Sequence, residues 1–222
     1  MKKAVVLLGP PGSGKTSLAE RLLGYLDGKI IATGPLLKDK AKEKSEEGQK
    51  VKNHLDKGEL VPTELVKETI VQYLKKNGAP WLLFDGFPRH KDQIEPFFAM
   101  GERMAYRLEA VFYLELPRSV AFERITGRRV CPDCGAVYNI HDRPPSRPGV
   151  CDRCGGELIQ RKDDRPEVAK ERMEEFQRNT VPVITFFQRE YPGKTFRVAG
   201  EKRLSRIVPS VLSILHGKKE ER

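Results

Sequence analysis

Residues 5–16 constrain the fold of this 222-residue chain more than any other segment. A short apolar run, Val5-Val6-Leu7-Leu8, breaks at Gly9-Pro10-Pro11-Gly12-Ser13-Gly14-Lys15-Thr16, and a helix-period stretch from Ser17 to Tyr25 follows. Strand, glycine-rich loop and helix in that order form the setting in which G-x-x-x-x-G-K-[ST] cradles phosphate. The glycines let main-chain N–H groups turn inward around anionic oxygens, and the helix N-terminus adds a favourable field. Lys15 then reaches the outer phosphates and Thr16 approaches a magnesium ion. A glycine-rich turn with an incidental lysine is the competing reading, and the flanking strand and helix argue against it. The loop specifies a nucleotide but not a reaction.

The remaining apolar pattern builds a sheet around that first strand. Trp81-Leu82-Leu83-Phe84 and Val111-Phe112-Tyr113-Leu114 are continuous apolar runs, as expected of strands buried on both faces. Lys29–Ala32 and Thr195–Val198 are weaker candidates. Helix-period stretches run over Thr63–Lys76, Arg118–Thr126, Pro166–Glu190 and Leu204–Leu215. Alternating strands and helices predict an α/β fold, a parallel sheet with helices on both faces. Asp85, at the end of the Trp81 run, suits a place near magnesium, directly or through water. A capping or turn role with Gly86 is its alternative.

Two segments interrupt the alternation. Residues 38–57 are charge-rich and sparsely apolar, which predicts short solvated helices outside the core. Residues 128–164 hold all four cysteines among turn residues. Both read as insertions into a single domain spanning 1–222, with Lys218–Arg222 expected to fray. No apolar run approaches the ~18 residues needed to span a bilayer. The opening apolar run ends at Gly9, too early for a signal-peptide core, so a cytoplasmic protein is expected.

Cys131-Pro132-Asp133-Cys134 and Cys151-Asp152-Arg153-Cys154 are two C-x-x-C knuckles separated by sixteen residues. Four thiolates at this spacing close a tetrahedral structural zinc site, with Gly135 and Gly155 suited to the tight turns. A redox C-x-x-C is usually single. The charge balance, 41 Lys and Arg against 31 Asp and Glu, gives +10 and calls for an anionic partner. Nucleic acid is disfavoured because Tyr138 is the only Phe, Tyr or Trp in 128–164, too few for a stacking platform. The candidate cations beyond Lys15 are Arg89, Arg124, Arg128, Arg161 and Arg172. Taken singly, each reads as an ordinary surface charge. The four histidines show no ligand or triad pattern.

In order along the chain, these motifs resemble the adenylate kinase family in its form with a zinc-binding cysteine lid. Besides the phosphate loop, Thr33-Gly34 resembles the start of that family's monophosphate-binding insert and Gly58-Glu59-Leu60-Val61-Pro62 its end. Asp85-Gly86-Phe87-Pro88-Arg89 followed by Gln93 is similar to its most diagnostic motif. Arg124-Ile125-Thr126-Gly127-Arg128-Arg129 leads into the lid, where Val137-Tyr138 resembles the segment against the ATP base. Arg161-Lys162-Asp163-Asp164 and Arg172 match the lid's exit.

The resemblance implies a P-loop NTPase-type core with a monophosphate-binding insert at 33–62 and a zinc lid at 128–164. It implies transfer of the γ-phosphoryl of Mg·ATP to AMP, reversibly giving two ADP, in a monomer that binds neither nucleic acid nor membrane. ATP would be held by Gly12, Ser13, Gly14, Lys15, Thr16, Ser17, Arg124, Arg128, Val137, Tyr138 and Lys202, with Asp85 reaching magnesium through water. AMP would be held by Thr33, Lys38, Glu59, Leu60, Val61, Gly86, Phe87, Pro88, Arg89, Gln93, Arg161 and Arg172. Lys15 with Arg89, Arg124, Arg128, Arg161 and Arg172 would surround the transferring group. Both inserts would close to exclude water, with Asp163-Asp164 and the residues near Arg128 as lid hinges.

Thr33 and Gln93 favour AMP, and a carboxamide can both donate to and accept from one adenine edge. Three departures from the family pattern stand out. Thr16-Ser17 replaces Gly-Thr, Lys38 replaces an arginine and keeps charge without the bidentate fork, and Pro35 and Thr63 stand where acids are usual. Weaker AMP binding is the expectation. The alternatives are a kinase for CMP, UMP or dAMP and, in another class, a zinc-ribbon nucleic-acid-binding ATPase.

Overall fold

The computed structural model describes residues 1–57 and 59–217. Gly58, from the insert-end motif, and Lys218–Arg222, expected to fray, lie outside the described residues. Five parallel strands form the central sheet in the order β2 (Gly28–Ala32), β3 (Trp81–Asp85), β1 (Lys2–Leu8), β4 (Tyr106–Glu115) and β7 (Thr195–Ala199). The three central strands contain the continuous apolar runs read from sequence, and the edge strands β2 and β7 contain the two weaker candidates.

Residues 4–8 of β1 are fully buried, and their alternation divides the interior in two. Ala4, Val6 and Leu8 pack with Phe84, Phe97 and Phe187, while Val5 and Leu7 pack with Leu18, Leu22, Phe112 and Val211 on the other face. A strand covered on both sides tolerates no polar position, which is why its sequence reads as an unbroken apolar run. The register opposes Leu7 to Asp85, so the carboxylate stands at the strand ends beside the loop that leaves β1.

Helices α4 (Thr63–Lys76), α6 (Arg118–Thr126) and α9 (Leu204–Leu215) have the expected bounds, and α1 spans Lys15–Leu22. The stretch expected as one helix over Pro166–Glu190 is α7 (Pro166–Glu175), a π-helical turn (Phe176–Thr180) and α8 (Val181–Glu190). Pro182 supplies the reason: it has no N–H for the carbonyl four residues back, and its ring crowds that carbonyl. Helix α5 (Ile94–Met104) has no counterpart among the stretches read from sequence. It buries Phe97, Met100 and Gly101, and Pro96 near its start conceals the period.

The segment 38–57 forms short, largely exposed helices as expected, with Lys40, Gly48 and Val51 as its buried exceptions. Helix α2 (Thr33–Lys40) buries Leu37 in the larger core just ahead of the segment, and α3 (Glu46–Lys57) buries Val51 there. Lys40, expected on a solvated face, is buried with its ammonium on Glu43 (2.7 Å) and on Gln72 Oε1 of α4 (2.8 Å). Pairing allows this burial. Within 128–164, β5 (Arg128–Val130) and β6 (Val137–Asn139) form an antiparallel pair around the cysteines.

Candidate active site

The loop between β1 and α1 has the conformation its glycines permit. Gly12 and Gly14 have φ of +81° and +89°. A Cβ on Gly12 would lie 2.8 Å from the Ala121 carbonyl oxygen, whereas one on Gly14 would meet nothing within 4 Å. Gly12 is therefore held against α6, and Gly14 faces the open side of the cradle. Lys15 Nζ donates to the carbonyls of Gly9 (2.8 Å) and Pro10 (3.0 Å) and to Ser13 Oγ (3.4 Å). Its ammonium thus rests on its own loop. Thr16 Oγ1 donates to Asp85 Oδ2 at 2.5 Å, joining α1 to the end of β3.

Four of the six cations singled out from sequence act on one another. Burial lowers the Lys15 pKa to about 8; Asp85 opposes the shift, while Arg89, Arg172 and Arg128 add to it. Such crowding of like charge is unfavourable by itself, and a polyanion between these groups would relieve it. Asp164, fully buried, accepts from Arg128 Nε at 2.8 Å and from Arg128 Nη2, and Arg172 Nη1 stands 3.3 Å from its Oδ1. Arg172 also meets Asp163 at 3.1 Å. The residues expected as lid hinges are thereby clamped across the lid's two ends. Arg124 is engaged elsewhere, with Gly200 O at 2.7 Å and Asp142 at 3.1 Å. Arg161 lies exposed just before the turn at 162–164.

A second region, a cavity of about 240 Å³, opens between residues of 33–66 and residues 86–93, which follow Asp85. Thr33, Leu60, Val61, Gly86, Arg89 and Gln93 line it, as the acceptor motifs imply. Lys38 is exposed on α2 and is not among the lining residues, and Glu59 is likewise exposed outside them. Phe87 is buried in the larger core, behind the cavity. Gln93 Oε1 accepts from the Arg89 N–H at 2.8 Å, so part of the carboxamide's capacity serves the turn that presents Arg89. Thr180, in the π-helical turn, donates to the Arg89 carbonyl at 3.1 Å. Arg89 is therefore held on both sides, and Thr180 was not legible as a site residue because its partner lies 91 positions away. Lys202, just before α9, is exposed beside Arg203 and Arg206, two residues after Gly200, whose carbonyl accepts from Arg124.

The four cysteine sulfurs all lie within 4.8 Å of one another. Cys131 and Cys154 are 3.4 Å apart and Cys134 and Cys151 3.6 Å, near the roughly 3.8 Å edge of a zinc–thiolate tetrahedron and far beyond a disulfide bond. The two knuckles fold alike. Gly135 N–H donates to Cys131 O and Gly155 N–H to Cys151 O, with both glycines at positive φ. The donor set fits zinc. Tyr138, expected against the ATP base, turns its ring into this cluster: it is buried, and its hydroxyl accepts from the Asp152 N–H at 2.9 Å. Val137 beside it is exposed.

A family model described as adenylate kinase matches residues 7–191. The adenylate kinase of Caldicellulosiruptor bescii is 37% identical over 212 residues, 95% of this chain and 98% of that protein. That of Caldanaerobacter subterraneus subsp. tengcongensis is 36% identical over 218 residues, 98% of each chain. The adenylate kinase of Thermococcus kodakarensis is 33% identical over 221 residues, covering 98% of this chain and 97% of its own.

Proposed function

The chain belongs to the adenylate kinase family, and from that membership we propose a division of labour among its residues. The reaction is ATP:AMP phosphotransfer, reversibly giving two ADP. The phosphate loop at 9–16 takes the triphosphate and the cavity lined by Thr33, Arg89 and Gln93 takes AMP. The observation that carries this reading is the charge pattern between them. Lys15, Arg89, Arg128 and Arg172 crowd one another at the strand ends, where two phosphate groups would meet.

The acceptor is a phosphate oxygen of AMP, which is already anionic, so no side chain has to remove a proton. A bond from that oxygen to the γ-phosphorus forms as the bond to the β–γ bridging oxygen breaks. The chain supplies alignment and fixed positive charge. Lys15 exchanges its loop carbonyls for phosphate oxygens, Arg89 holds the AMP phosphate, and Arg128 and Arg172 neutralise the moving group. What supports Arg124 and Arg161 in the same shell is the family pattern. Magnesium, used with ATP throughout the family, neutralises charge on the outer phosphates, and the oxygen pair of Thr16 and Asp85 suits so hard a cation.

The single domain has two inserts, 33–62 and 128–164. The second binds zinc through Cys131, Cys134, Cys151 and Cys154, and the metal holds the lid's shape. The working form is a cytoplasmic monomer; one chain provides every group named here. No helix among the described residues is long and apolar enough to cross a membrane.

An acceptor screen with ATP, magnesium and each of AMP, CMP, UMP, GMP and dAMP tests the reading. ADP formation should be fastest with AMP. A faster rate with CMP or UMP would reassign the acceptor pocket.

A further inference from the structure

At the acceptor cavity, a contact joins two segments remote in sequence. Thr63, the first residue of α4, directs its hydroxyl to Asp92 Oδ2, twenty-nine residues away in the short 3₁₀ turn Lys91–Gln93. Both residues line the cavity, as do Pro62 before Thr63 and Gln93 after Asp92. The contact thus ties the end of the monophosphate insert to the turn that follows the acceptor phosphate residue Arg89.

Two further features give the contact consequence. Helix α4 has Pro62 at its N-cap position and no side-chain cap, leaving its first N–H groups to other partners. Asp92 brings a carboxylate to that end from a different segment, where the helix dipole favours negative charge. The 3₁₀ turn is then held at successive residues, Asp92 on Thr63 and Gln93 on the Arg89 N–H. Gln93 is buried, and its neighbour Asp92 is exposed. The outer residue is therefore free to serve as a strut for the inner one.

We propose that Asp92, held by Thr63, is a positioning residue for the acceptor site, setting Gln93 and the Arg89 turn against the end of the monophosphate insert. This inference rests on the assignment of that cavity to AMP. Its effect falls on acceptor binding and selectivity and leaves the ATP side alone, because the phosphate loop lies beyond Asp85.

The test compares Asp92→Ala, Thr63→Val, the double variant and the exchanged pair Thr63→Asp/Asp92→Thr, each as full-length protein, with KM for AMP, KM for ATP and kcat measured separately. Each single change should raise KM for AMP about threefold to tenfold, the effect of one charge-assisted hydrogen bond, with KM for ATP and kcat within about twofold. The double variant should be no worse than the poorer single one, and the exchanged pair should recover most of the loss. The preference for AMP over GMP should fall in parallel.

An unchanged KM for AMP in both single variants overturns the proposal, as do additive losses or an equal rise in KM for ATP. Should Asp92→Ala fail to fold, Thr63→Val and the exchanged pair decide the matter alone. Failure of the cavity assignment itself looks different: Arg89→Ala would then leave KM for AMP unchanged, whatever the Asp92 variants do.

Discussion

Thr16 Oγ1 donates to Asp85 Oδ2 across 2.5 Å, linking the first turn of α1 to the last residue of β3. Sixty-nine residues separate the partners, yet the Leu7–Asp85 register brings them to one edge of the sheet. The bond turns the carboxylate toward the phosphate loop. It also shows what the Thr16-Ser17 departure from the family's Gly-Thr accomplishes, since a glycine at 16 has no hydroxyl to offer.

Magnesium dependence reports on this pair. Thr16→Val removes the bond and Thr16→Ser keeps it. Magnesium titrations of ADP formation should show the half-saturating concentration raised about threefold to tenfold in the valine variant and near the parent value in the serine variant. Identical curves for all three would detach Thr16 from the cation.

Lys15→Met should lower kcat by at least ~10²-fold, since it deletes a fixed charge aimed at the transferring phosphate. The fold should not suffer. Burial pushes the Lys15 pKa down from 10.5 to about 8, so its charged form is disfavoured in the folded chain. Thermal melts at pH 7 should place the variant at or above the parent, and a marked fall would show that the ammonium contributes to stability.

The same shift sets a pH dependence. Below pH 8 Lys15 is charged in both folded and unfolded chains, and its burial penalty is fully present. Between about 8 and 10.5 only the unfolded chain holds the proton, so this group makes stability rise with pH across that window. ATP does the opposite to the site: its phosphates favour the charged lysine. ATP binding should therefore weaken above pH 8 with proton uptake, measurable by calorimetry in buffers of different ionisation heat. In Lys15→Arg that proton uptake should vanish.

Asp164 is buried between Arg128 and Arg172. Asp164→Ala leaves two guanidinium groups without their shared partner, at a cost of about 3–5 kcal/mol, or on the order of 10 °C in Tm for a chain of this size. Asp163→Ala removes a half-exposed partner and should cost under about 1 kcal/mol. Comparable melting shifts for the two would contradict the clamp.

Metal analysis of protein purified without added metal should find about one zinc per chain, as a closed four-thiolate site requires. Chelation or Cys131→Ser should lower Tm while ATP still binds the phosphate loop, because the cluster lies within residues 131–154, away in sequence from that loop. Zinc well below half an equivalent, or unchanged melting after chelation, would leave the cysteines without this role.

Much of the architecture was legible along the chain because its signals are local. The three central strands β3, β1 and β4 read as apolar runs because they are buried, while the edge strands β2 and β7 carry weaker signals because they are only partly buried. The loop at 9–16 carries its glycines and lysine in consecutive order. The cysteine knuckles are local for the same reason: each pair shares one turn. Helix α5, with Pro96 near its start, and the π-helical turn forced by Pro182 were less visible, because proline alters a period without announcing what replaces it.

What only the tertiary structure decided is which charges meet. In the sequence Arg89, Arg124, Arg128, Arg161 and Arg172 are equivalent candidates. The fold brings Arg89, Arg128 and Arg172 to Lys15, commits Arg124 to Gly200 and Asp142, and leaves Arg161 exposed. It buries Lys40, which its charge-rich segment would place at the surface, and the ring of Tyr138, which the family resemblance would place against the ATP base. Hydrophobic periodicity is a property of neighbouring residues and can be read in order. Electrostatic partnership acts through space, so it exists only once β-strand register and helix packing have set the distances.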